Sequence, residues 1–164
     1  MAQTENNAGR PLDHAIETLN LAPVAKAAAY ELKRLHPTVV FTSGRRDKGA
    51  QARAMASNIV RNRQWVIQTY SDTEASAACQ QWVDDHPQAA TQSAIQAGLE
   101  SVFHSLTDQQ LGKLSKHLSG EAFDVQPVDD EARARAIKSS IRGLKGLGKF
   151  LDKEGGLVRW HAQF

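Results

Sequence analysis

Just three short stretches of this chain carry the alternation and β-branching of strands, and long segments of helical periodicity separate them. The runs are Thr38-Val39-Val40-Phe41-Thr42, Glu121 to Gln126, and Leu157 to Phe164. A sheet built from so little cannot enclose a core by itself, so helices must supply most of the buried surface. The spacing of the runs lacks a regular βαβ rhythm, which points to antiparallel pairing. The expectation is an α+β fold: one helix-rich domain around a small, mainly antiparallel sheet of at least three strands.

The helical segments are punctuated by proline and by capping residues. Pro11 and Asp13 open a short first helix with Leu12, Ile16 and Leu19 on one side. Pro23 starts a second, striped by Val24, Ala28, Leu32 and Leu35 and ended at Pro37. Ser43-Gly44 turns the chain after the first strand. Lys48 to Tyr70 reads as one further helix through Met55, Ile59 and Val66. Ser71-Asp72-Thr73-Glu74 and Thr107 with Gln110 have capping-box spacing. Residues 72–106 read as an added helical pair, rich in Gln and Ala, with Trp82 and Phe103 as anchors. Asp129 or Asp130 caps a last helix carrying Ile137, Ile141, Leu144 and Leu151, weakened by glycines 143, 146 and 148 and ended by Gly155-Gly156. Residues 1–10 read as a disordered lead, with the domain occupying 11–164.

Composition narrows the function classes. Twenty Lys+Arg against 18 Asp+Glu give a net charge of +2, too small for a polyanion binder that works by bulk electrostatics. Arg45, Arg46, Lys48, Arg53, Arg61 and Arg63, with Trp65 beyond, form one basic stretch that could lie along phosphates, but the small net charge argues against nucleic acid as partner. No apolar run approaches the ~18 residues of a membrane span, and the polar start lacks the apolar segment of a secretory signal. Cys79 is the one cysteine, which excludes an internal disulfide framework and a cysteine-based zinc finger.

Chemistry concentrates at two of the six histidines. His117 precedes a Ser119-Gly120 turn, and Asp124 lies in the strand after it. Such a bend can bring an imidazole and a carboxylate together, and a histidine from a neighbouring strand would complete three ligands. Two neutral imidazoles and one carboxylate suit Zn²⁺ with a position left open.

Ser115-Lys116-His117-Leu118-Ser119-Gly120-Glu121-Ala122-Phe123-Asp124, followed far downstream by Trp160-His161, resembles the D-Ala-D-Ala carboxypeptidase and dipeptidase family of zinc peptidases. That family is grouped with lysostaphin-type enzymes and the hedgehog signalling domain, and includes phage endolysins that cut peptidoglycan peptides. Thr42-Ser43-Gly44-Arg45-Arg46 resembles its Ser-Gly-Tyr-Arg segment, with Arg45 in place of the aromatic. The resemblance spans about 38 to 164. It implies His117, Asp124 and His161 as zinc ligands, and Arg46 as the arginine that contacts substrate and stabilises the oxyanion. Ser115 takes a supporting or substrate-side role in the ligand loop.

Val158 stands where the family places a catalytic carboxylate, three residues before the last histidine. Glu154, ahead of the Gly155-Gly156 bend, is the substitute that the sequence offers as general base. Asp152, Glu121 and His104 are alternatives, although a regular strand would turn Glu121 away from Asp124. The resemblance implies hydrolysis of peptidoglycan stem peptides, as an L-Ala–D-Glu endopeptidase or a D-Ala–D-Ala carboxypeptidase. It also implies a monomer made in the cytoplasm without a signal peptide, phage-encoded, acting at the cell wall or periplasm without nucleic acid or membrane as partner. A zinc-containing cell-wall binding module without turnover is the alternative that Val158 favours.

Overall fold

The computed structural model describes residues 10–154 and 157–164. Its fold is α+β, with a four-stranded antiparallel sheet among helices. The strands are β1 (Phe41–Ser43), β2 (Ala122–Val125), β3 (Lys149–Glu154) and β4 (Leu157–Gln163), in the spatial order β1-β2-β4-β3. The expected lead lies outside the described residues except Arg10, whose guanidinium sits 5.7 Å from the centroid of the Tyr30 ring.

Local chemistry accounts for most helix starts. Asp13 caps α1 (His14–Glu17), and Pro23 occupies the first turn of α2 (Pro23–Leu35). Asp47 caps α3 (Lys48–Ile59). Thr73 and Ser76 form the capping box of α5 (Glu74–Asp85), and Thr91 caps α6 (Gln92–His104). Thr107 and Gln110 form the expected box on α7 (Asp108–Leu114). Asp130 caps α9 (Glu131–Arg142).

Three expectations are corrected. The helix expected over 48–70 is two: α3, then α4 (Trp65–Thr69). Between them the Asn62 amide donates to Gln68 and its carbonyl oxygen accepts from the Gln64 N–H, which stabilises a turn in place of helix. The last helix stops at Arg142 rather than running to Gly155-Gly156. Gly146 adopts φ +83°, and the chain re-enters the sheet as β3. The first strand is shorter and later than expected. Val39 is tied into a turn by its N–H to the His36 carbonyl, while the Lys33 ammonium donates to the Val39 carbonyl.

Among the described residues two hydrophobic clusters form. One lies between the sheet and α1, α2 and α9, with Ile16, Leu32, Phe123, Ile137 and Trp160 buried. The other lies among α3 to α7, around Met55, Ile59, Cys79, Leu99 and Phe103. The 72–106 helices therefore pack as part of a core with α3. Phe103 is fully buried, and Gly98 lets the Trp82 indole approach the α6 backbone so closely that a Cβ there would overlap the ring. Trp82 also stacks on His86, with ring centroids 4.2 Å apart.

Candidate metal centre

The centre forms where the sheet meets the short helix α8 (Lys116–Ser119). Ser115 caps α8, its hydroxyl accepting from the His117 N–H at 3.3 Å. Gly120 ends it at φ +75°, a left-handed conformation that reverses the chain into β2 within two residues. Gly120 also lies under the Arg45 guanidinium, where a Cβ would come within 2.6 Å of Nη2. This turn holds His117 beside the strand that carries Asp124.

Sheet register supplies the third group. Asp124 on β2 pairs directly with His161 on β4, so both side chains leave the same face. Asp124 Oδ1 lies 2.8 Å from His161 Nδ1 and 3.5 Å from His117 Nε2. One ligand atom from each residue falls within 4.8 Å of the others, and the three side chains are buried. Burial alone would raise the Asp124 carboxyl, but hydrogen bonds to His117 and His161, and their charge, hold it well below the usual carboxylate range.

The remaining ring nitrogens face carbonyl oxygens. His117 Nδ1 lies 2.8 Å from the Gly44 carbonyl, and His161 Nε2 lies 3.1 Å from Gln163 Oε1. The Gly44 carbonyl and Gln163 Oε1 can accept from the outer nitrogen of each ring, as the Asp124 carboxylate accepts from the inner one, so a metal ion held here would replace the inner protons while the outer N–H groups keep the rings oriented. The donor set fits a metal ion, and His117, Asp124 and His161 can hold one.

Arg46 stands beside the centre. Its N–H donates to the His117 carbonyl, and its Nη2 lies 3.9 Å from Asp124 Oδ2. Its Nη1 lies 3.5 Å from Gln51 Oε1, and Gln51 Nε2 donates to the Tyr70 hydroxyl at 3.3 Å. Arg45 points elsewhere and donates from Nε to the Asn20 carbonyl at 2.8 Å.

The carboxylates proposed as base are not gathered at the centre. Glu154 lies in β3 rather than at a helix end, and its backbone pairs with Leu157, four residues along β4 from His161. At strand rise that is about 13 Å. Asp152 binds Lys138 and Arg142, and Glu121 lies 3.5 Å from Lys116. His104 is exposed at the end of α6. Val158 is also exposed and pairs with Lys153, and the register shift between the Leu151–His161 and Lys153–Val158 pairs breaks the strand alternation between Val158 and His161.

Gln51 and Gln163 were not singled out from the sequence. Gln163 had a signal, because its two-residue spacing from His161 puts both on one face of a strand. Gln51 had none, since nothing in its neighbourhood marks a buried glutamine. Among protein-family models, curated proteins and solved structures, none matches the chain.

Proposed function

We propose that this chain is a zinc peptidase that hydrolyses amide bonds in peptidoglycan stem peptides, as an L-Ala–D-Glu endopeptidase or a D-Ala–D-Ala carboxypeptidase. One observation carries the reading. The three sequence blocks that resemble the D-Ala-D-Ala carboxypeptidase and dipeptidase family converge at one point, where Arg46 Nη2 is 3.9 Å from Asp124 Oδ2 and Asp124 contacts both histidines.

His117, Asp124 and His161 would hold Zn²⁺, an ion suited to two imidazoles and one carboxylate. When bound, zinc lowers the pKa of water and polarises a carbonyl oxygen. The Arg46 guanidinium presents fixed paired donors, held between Asp124 and Gln51, to a substrate carbonyl or carboxylate. Ser115 contributes by fixing the helix that carries His117. Among the described residues no helix is long and apolar enough to cross a membrane.

The test is hydrolysis of purified murein, with and without chelator and with zinc restored, alongside elemental analysis and mass spectrometry of the released peptides. Zinc-dependent release of stem-peptide fragments is expected. A zinc-loaded protein that releases none overturns the peptidase reading. The second reading, a zinc-containing cell-wall binding module, then applies. It is favoured by Val158, which cannot take a proton.

A further inference from the structure

Away from the metal centre, α4 and α5 flank a groove of about 380 Å³. Ser76, Gln80 and Asp84 recur along α5 at intervals of four, so one helix face presents them to it. Ile67 on α4 and Tyr70 at its end line the groove as well, and Asp72 stands where the chain enters α5.

Gln80 is 6% exposed. Its carboxamide is oriented by two acceptors: Nε2 donates to the Arg63 carbonyl and to Asp84 Oδ1, both at 2.9 Å. Exchanging its oxygen and nitrogen would set an acceptor against both. No donor in the chain reaches Oε1, which among the described residues is the one buried side-chain polar atom without a partner. A buried acceptor left unmatched is costly, so this position calls for a donor.

The surroundings specify the donor. The oxygen and nitrogen of one carboxamide are about 2.3 Å apart, so Oε1 lies within about 5 Å of Asp84 Oδ1, and one head group can bond to both. Asp72 adds a second carboxylate, and no cationic side chain lines the groove. The adjacent Arg63 guanidinium donates instead to the carbonyls of Val83, His86 and Ala89. The groove therefore favours a cation. A calcium ion takes roughly six to eight oxygen ligands, whereas Ile67, 57% exposed, and the Tyr70 ring present carbon. A primary ammonium has three N–H donors and an alkyl chain to cover that carbon.

We infer that the α4–α5 groove binds an aliphatic primary ammonium, its nitrogen donating to Gln80 Oε1 and Asp84 and its carbon chain lying on Ile67 and Tyr70. A lysine side chain in a peptide and a free alkyl diamine share this chemistry. No bond is made or broken in the groove, and the inference stands apart from the peptidase reading. Tyr70 places the groove on the Arg46 side of the centre, because its hydroxyl accepts from Gln51, the residue beside Arg46.

The experiment titrates the full-length, isotope-labelled protein and follows backbone amide shifts by NMR. The probes are Nα-acetyl-L-lysine N-methylamide, its norleucine counterpart, which lacks the ammonium, and cadaverine. Both amines should shift amides within 67–84 saturably and bind at least about tenfold more tightly than the norleucine compound. Tighter binding of the lysine probe assigns the ligand to a peptide side chain, and tighter binding of cadaverine assigns it to a free diamine. Asp84→Asn keeps the shape of the groove, and Gln80→Met removes the unmatched oxygen. Each should weaken both amines by about tenfold with helix content unchanged. Asp84→Asn decides alone if Gln80→Met does not fold. Asp85→Asn, next to Asp84 but outside the groove, should bind as wild type does. Equal binding of the lysine and norleucine probes overturns the inference, as does undiminished affinity in Asp84→Asn. The absence of saturable shifts at 67–84 also overturns it and leaves Gln80 Oε1 to a buried water.

Discussion

Asp124 and His161, 37 residues apart in the chain, face each other on adjacent strands with Oδ1 and Nδ1 2.8 Å apart. The pairing is a property of the β2–β4 ladder, so the two groups are in place before any ion arrives. His117 joins them through the α8 turn, itself fixed by the Ser115 cap and Gly120. Such a prearranged set loses little side-chain freedom on binding a metal.

Removing one ligand from this set should therefore abolish stoichiometric binding rather than shift it slightly. His117→Ala and His161→Ala are each expected to lose bound metal in elemental analysis, with the fold retained by circular dichroism. Gln163→Leu leaves all three ligands but removes the carboxamide contact to His161 Nε2, and should weaken metal affinity by roughly 10–100-fold in a chelator competition. One metal per chain surviving in either histidine variant would sink the assignment.

The two adjacent arginines should separate cleanly. Arg46→Ala is expected to lower kcat/KM by about 10², the scale of losing one oxyanion donor, with metal still bound. Arg45→Ala removes the hydrogen bond to the carbonyl of Asn20, a residue held at φ 53°, and so should cost about 1 kcal/mol of stability with kcat/KM near wild type. Equal losses of activity in both variants would contradict the different directions of the two side chains.

What the sequence made legible was what local chemistry decides. Thr107 with Gln110 and Asp130 announced helix starts through hydrogen bonds made within four residues. The His117–Asp124 stretch announced a turn through Gly120. Strand β3 was hidden because Ile137, Ile141, Leu144 and Leu151 continue a helical period past Arg142, while the Gly146 conformation that diverts the chain depends on tertiary packing. Gln163 acquires its place from register, a long-range property that composition does not carry.

Cys79 gives a pH-dependent test of the second core. Burial pushes its thiol up to about 12. In the unfolded chain it titrates at roughly 8.5. Below that value both states are protonated and the cysteine adds no pH dependence. Above it the unfolded state loses the proton that the folded state keeps, so stability falls as pH rises toward 12. Denaturant titrations between about pH 8 and 11 should show this decline, and Cys79→Ala, although less stable overall, should flatten it. At pH 8 the native thiol should resist alkylation until denaturant is added. Rapid labelling of the native protein would show that the helical core opens around Cys79.

Glu154 decides between a preformed and an assembled hydrolytic site. Amide hydrolysis needs a group that moves a proton from the attacking water to the leaving nitrogen, and a positioned carboxylate contributes about 10²–10⁴-fold. The Glu154 backbone pairs with Leu157, which puts it about 13 Å along β4 from His161, more than a glutamate side chain spans. Glu154→Gln is therefore expected to keep its zinc and to hydrolyse murein within about twofold of wild type. A 100-fold loss in Glu154→Gln with zinc retained would mean that the β3–β4 hairpin folds over the centre once substrate is bound, carrying its carboxylate with it. Substrate should then protect the 153–158 segment from proteolysis in wild type, and an unchanged cleavage rate would exclude that closure.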